Sequence, residues 1–81
     1  MVSSNDANIP ELDLRGLKCP LPALLARRAL KAASEAADLC VLADDPLAYI
    51  DIPHMCMQEG FEVLSLEREG TIVTAFLRKP A

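Results

Sequence analysis

The segment Cys19-Pro20-Leu21-Pro22 constrains the fold of this chain more than any other. Neither proline can donate a backbone hydrogen bond, so the segment does not suit the middle of a strand or a helix. The first N–H groups of a helix have no intrahelical partner, so prolines fit there. An extended stretch, Leu12-Asp13-Leu14-Arg15, precedes the segment, Gly16 supplies a turn, and good helix formers follow. The junction carries a thiol, Cys19, at or just before the first helical turn. The helix dipole, worth about 0.3–1 kcal/mol, and the charge of Lys18 next door both favour its thiolate. A nucleophilic Cys19 is the expectation, weighed against a small buried apolar side chain, which is what most free cysteines are.

Periodicity divides the rest of the chain. Met1 to Pro10 is polar and reads as a loose tail, and residues 11–81 read as one domain. A short strand is expected over Glu11 to Arg15 and a helix from Pro20 to about Ala33. On that helix Leu25, Ala26, Ala29, Leu30 and Ala33 share one side, with Arg27, Arg28 and Lys31 opposite and Leu24 among the charges. Asp38 to Ala43 is a continuous apolar run that suits a strand in the sheet centre, with Cys40 as core. Asp44-Asp45-Pro46 stops it, and Asp45 can cap the helix after it. Pro46 to Glu59 reads as helix, with Pro53 either kinking it or starting a second one, and Gly60 ending it. Its Ala48, Ile52, Met55, Cys56 and Glu59 share a side, so Cys56 is expected in the core. Phe61 to Glu69 and Thr71 to Arg78 form a hairpin about Glu69-Gly70. The order β-α-β-α-β-β implies a two-layer α/β sandwich, a mixed four-stranded sheet with two helices on one face.

Composition and spacing remove several chemistries. The 81 residues carry a net charge of −4, which opposes stable nucleic-acid binding. No apolar run is long enough to span a bilayer. The three cysteines are an odd number, without an export signal before them, which suggests a reducing cytoplasm. A thioredoxin-type site needs a resolving cysteine where Pro22 stands. Zinc needs about four clustered ligands, and three scattered cysteines with the single His54, itself expected to be a solvated surface residue, do not supply them. No metal and no cofactor are expected. What remains is one exposed thiol that can itself carry cargo, attacking a donor and yielding the group to an acceptor, for which sulfur is well suited.

The chain also resembles the TusA-like (SirA/YedF) sulfur-carrier family. The resemblance lies in Leu14 to Pro22, with the Cys-Pro-x-Pro signature, in Ala43-Asp44-Asp45-Pro46 with Asp51-Ile52-Pro53 and Cys56, and in the strands from Gly60 to Lys79. It implies the same sandwich, with Cys19 accepting sulfane sulfur as a persulfide and Lys18, Pro20, Pro22 and Gly16 supporting it. It further implies a cysteine desulfurase or rhodanese-like protein as donor and a relay protein as acceptor. The product would lie in transfer-RNA thiolation, molybdenum-cofactor synthesis or sulfur oxidation. Such a chain is a monomeric sulfurtransferase-type carrier rather than a stand-alone multi-turnover enzyme. Leu24, Arg27, Arg28 and Lys31, with Asp45, are the residues expected to meet a partner, and Cys56 is a candidate second thiol. Where many members have a Pro-Gly turn, this chain has Ser34-Glu35-Ala36-Ala37, which either lengthens the helix or loosens the loop. The alternative is a non-enzymatic regulatory or adaptor module of the same fold in which Cys19 is vestigial.

Overall fold

The computed structural model describes residues 9–34 and 36–81. The expected tail falls mostly on residues 1–8, outside the described residues, as does Glu35. The elements follow as β1 (Glu11–Asp13), α1 (Leu21–Ala32), β2 (Asp38–Ala43), α2 (Ala48–Glu59), β3 (Glu62–Glu69) and β4 (Ile72–Arg78). The four strands form one mixed sheet in the order β1-β2-β4-β3. Strands β1 and β2 are parallel, while β4 is antiparallel to both β2 and β3. It follows that β2 and β3 run in the same direction. Both helices therefore sit in crossovers between parallel strands and carry the chain the same way across the sheet. A common hand puts them on one face, and they pack against each other there.

The core lies between this helical layer and the sheet. Leu30 of α1 and Ile52, Met55 and Cys56 of α2 pack with Leu39, Val41 and Ala43 of β2 and Val73, Ala75 and Leu77 of β4. Strand β4 alternates strictly, as a strand with one covered face must. Strand β2 lies inside the sheet, as its apolar run predicted, but Cys40 does not join the helix-side core. The register pairs it with Glu11 and Phe76 on the opposite face, which carries no helix among the described residues. Ile9, Glu11 and Phe76 surround Cys40 and leave it only 9% exposed. The distinction between the two faces is a matter of pairing, which an unbroken apolar run does not reveal.

Several boundaries differ from the sequence reading for local reasons. Helix α1 starts at Leu21, with Pro20 as its cap residue and Pro22 buried in the first turn; the Cys19–Pro20 peptide bond is cis. Its packed side is rotated towards Pro22, Ala23, Ala26 and Leu30, whereas Leu25, Ala29 and Ala33 are only half-buried. Helix α2 runs unbroken through Pro53, which neither begins a second helix nor ends the first. Only one intrahelical bond is lost at such a proline, and buried Ile52 and Met55 on either side hold the helix to the core. Gly60 closes α2 in the left-handed conformation, its N–H bonded to the Cys56 carbonyl. The hairpin turn is Gly70-Thr71, one residue later than expected, because Glu69 pairs directly with Ile72. A bulge interrupts β3 between Val63 and Ser65.

The link from α1 to β2 does not lengthen the helix, whose end is capped from elsewhere in the chain. Helix α1 ends at Ala32, and the Lys79 ammonium donates to the carbonyls of Lys31 and Ala33 at 3.2 and 2.8 Å. A cation at this helix end satisfies orphan carbonyls and opposes the dipole. Ala36 then adopts φ of 63°, a left-handed conformation that disfavours any side chain. Ala36→Gly is expected to stabilise the fold by about 0.5–1 kcal/mol, because relief of that strain exceeds the entropy that glycine adds to the unfolded chain. Leu30→Ala, at a fully buried position, is expected to destabilise by about 2–5 kcal/mol. Urea denaturation of the two variants against the parent measures both, and a destabilised Ala36→Gly would show that the turn is not strained.

Candidate functional site

The parallel pairing of β1 and β2 brings the loops that follow them to the same end of the sheet, and with them the N-termini of α1 and α2. The ladder continues one residue past β1, where the Leu14 N–H donates to the Leu42 carbonyl at 2.8 Å. The first loop then turns at Gly16, whose φ of 90° lies in the region open to glycine. The second loop holds it there with two carboxylates. Asp44 Oδ1 accepts from the Gly16 N–H at 2.9 Å, and Asp45 Oδ2 from the Cys19 N–H at 2.5 Å. The other Asp45 oxygen accepts from the Leu47 N–H at 3.0 Å, ordering the approach to α2. Asp45 does take a local capping-type bond, but it is not a surface residue for a partner to meet. It is 7% exposed, and both its oxygens are occupied by backbone donors. Those bonds, with Lys18 adding a smaller attraction, hold its carboxyl below the usual range.

Cys19 is half-buried at the mouth of this junction. Its thiol donates to Asp51 Oδ2 at 2.7 Å. Asp51 projects from the first part of α2, and sequence reasoning missed it as a site residue, naming it only within a block that carries the family resemblance. The available signal was its place in the Asp51-Ile52-Pro53 block, 32 residues after Cys19. Two parallel βα units in register bring the starts of their helices together, which a one-dimensional reading does not display.

This contact reverses the expected electrostatics. The bond to the Asp51 carboxylate pushes the Cys19 thiol above its ordinary value, partial burial pushes it further, and the charges of Asp51 and Asp45 oppose the thiolate. The α1 dipole, worth about 0.3–1 kcal/mol, does not overcome them. The exposed Lys18 acts on Asp45 rather than on the thiol. Cys19 therefore rests as a protonated, hydrogen-bonded thiol.

A cleft of about 450 Å³ runs from this point between the two helices. Pro20, Ala23, Leu24 and Met55 form apolar walls, with Asp51 at the thiol end and Arg27 further along. His54 and Glu59 also border it, so His54 is exposed but adjacent to the site. Leu24 is exposed on its rim. Of the expected basic strip, Arg27 and Lys31 are tied to Glu59 at 2.9 and 3.1 Å, and Arg28 is exposed. Cys56 is not brought to the site; it is 1% exposed in the core, where burial pushes its thiol up to about 11. Among the described residues, no group of three or more His, Cys, Asp or Glu side chains is arranged to hold a metal ion. No helix among them is long and apolar enough to cross a membrane.

Two comparisons with known proteins bear on this arrangement. A family model described as Sulfurtransferase TusA matches residues 10–79. Among solved structures, a SirA-like protein from Desulfitobacterium hafniense superposes with a TM-score of 0.75 at 20% identity, over 90% of this chain and all of that one. At that identity the likeness is one of fold.

The raised thiol has a measurable consequence. Thiolate absorbance in the ultraviolet, taken as the difference between the parent and Cys19→Ser, should rise with a midpoint above that of an ordinary cysteine. Stability depends on pH in the matching direction. The folded thiol is the higher of the two, so its contribution is complete below the unfolded cysteine value and is lost as pH rises through the folded one. A midpoint below the ordinary value would mean that the Asp51 contact does not form in solution.

Proposed function

The chain belongs to the TusA sulfurtransferase family, and on that premise we propose that it is a sulfur carrier whose cargo is a persulfide on Cys19. The observation that carries this reading is the position of the Cys19 thiol, half-buried and free of disulfide, bonded to the Asp51 carboxylate that lines the cleft, with Cys40 and Cys56 buried elsewhere. A carrier has to meet two partners in turn, so its thiol must be reachable by a second cysteine but need not lie in an enclosed pocket. The absence of a resolving cysteine at Pro22 supports a persulfide that persists until an acceptor attacks it.

In this reading the donor is a cysteine desulfurase or a rhodanese-like protein, and the acceptor is a further relay protein. The chain works as a monomer in the cytoplasm, with no cofactor. Leu24 and Arg28 supply exposed apolar and cationic contacts beside the cleft. Arg27 and Lys31 reach a partner only by sharing or releasing Glu59. The final product belongs to transfer-RNA thiolation, molybdenum-cofactor synthesis or sulfur oxidation, and the donor and acceptor decide which.

Intact mass after incubation with a cysteine desulfurase and cysteine tests the reading. The expected result is a gain of one sulfur atom, reversed by reductant and absent from Cys19→Ala, with both proteins folded alike. No gain from a desulfurase, a rhodanese-like donor or a small persulfide would overturn it and favour an adaptor role for the same fold.

A further inference from the structure

Cys19 has two carboxylates beside it, and they are not equivalent. Asp45 is buried and holds two backbone N–H groups, one on each of its oxygens. Its work is to position the loop, and the thiol donates to Asp51 rather than to it. Asp51 is only half-buried, and among the described residues the sole hydrogen bond to its carboxylate is the one from the Cys19 thiol. It stands on a helix whose start is anchored by the Asp51 N–H donating to the Leu47 carbonyl at 2.8 Å, and it borders the cleft. One carboxylate is thus fixed on the backbone, while the other touches the reacting sulfur and faces the side from which a partner would enter.

We propose that Asp51 is the proton acceptor and donor for Cys19, taking the thiol proton as the sulfur attacks and returning it to the thiolate that departs. For a persulfide donor, which rests on the carrier reading above, the step balances without any oxidant or reductant. Cys19 Sγ forms a bond to the outer sulfur of the donor persulfide, and the donor's S–S bond breaks. Its electron pair leaves on the donor cysteine sulfur, which receives the proton from Asp51. One thiol and one persulfide stand on each side. Unloading is the same exchange in reverse, with the acceptor thiol as attacker. A protonated resting thiol is then the loaded form of an acid–base pair, protected from stray electrophiles until a sulfur donor occupies the cleft.

The other charged groups near the thiol do not offer this path. Asp45 is committed to the backbone, Lys18 is a cation on the preceding loop residue, and Asp44 holds the Gly16 N–H. His54 borders the cleft from α2 but has no hydrogen bond to Cys19. The α1 N-terminus faces the same junction and favours the anion that forms during attack.

The test uses 2-hydroxyethyl disulfide, a neutral probe with no titrating group in the working range, so it reports on Asp51 whether or not the chain carries sulfur in the cell. Mixed-disulfide formation on Cys19 is followed by intact mass from about pH 6 to 8, with Cys19→Ala as blank. If Asp51 accepts the proton, the parent rate changes by less than about threefold over this range. In Asp51→Asn only pre-formed thiolate reacts, so the rate falls by about tenfold per pH unit and at pH 6 lies about 100-fold or more below the parent. Asp51→Glu, which keeps the carboxylate, retains the shallow profile. A purely positioning role would lower the rate by one factor at every pH and leave the slope alone, and that result overturns the proposal. So does a parent rate that itself climbs about tenfold per pH unit, which needs no variant to fold. Failure of sulfur loading beside a pH-independent parent profile would sink the carrier reading while leaving the role of Asp51 standing.

Discussion

Two adjacent carboxylates at the end of β2 hold the site together. Asp44 and Asp45 accept the N–H groups of Gly16 and Cys19 and so tie the loop after β1 to the loop after β2. Those donors belong to a turn and to the approach of a helix, where the backbone has no ladder of its own. Partial burial would penalise the Cys19 N–H if it were left unpaired. An ionised acceptor makes stronger bonds than a neutral one. Everything at the site depends on this tie: the position of the thiol, the direction in which α1 leaves and the edge of the cleft.

The sheet and helices serve that arrangement by being parallel where it matters. Because β1 and β2 run together, their following helices begin side by side, and residues 26 and 32 positions beyond Cys19 become its neighbours. The helical layer then buries Leu30, Ile52, Met55 and Cys56 against β2 and β4, which keeps the two helix starts in fixed relation. Glu59 adds a second tie across the helices through Arg27 and Lys31. The cleft is the space left between two helices that are joined at both ends and lined by small or flexible side chains, Ala23 and Met55, in between.

Most of the fold was legible in the amino-acid order because its signals are local. β-rich runs either side of a turn marked β3 and β4, the 3.6-residue stripe marked the buried side of α2, and Gly60 and Gly70 marked a helix end and a turn. What was missed needed information from elsewhere in the chain. Cys40 is buried as expected, but on the sheet face away from the helices, where its pairing with Glu11 and Phe76 puts it. Asp45 turned from a surface contact into a buried scaffold because its backbone partners lie on another loop. Lys79 caps α1 from the far end of the chain. No pattern within either segment encodes such meetings.

The sequence by itself determined the order of elements and the presence of a thiol at a strand-to-helix junction, since proline placement and apolar spacing act over a few residues. The tertiary structure decided what that thiol faces. Lys18 is adjacent in the chain, yet Asp51, far along it, makes the contact that sets the protonation of Cys19. Electrostatic and hydrogen-bond energies fall off over a few ångströms of space, not of sequence, so the character of the site was settled only when the two helix starts came together.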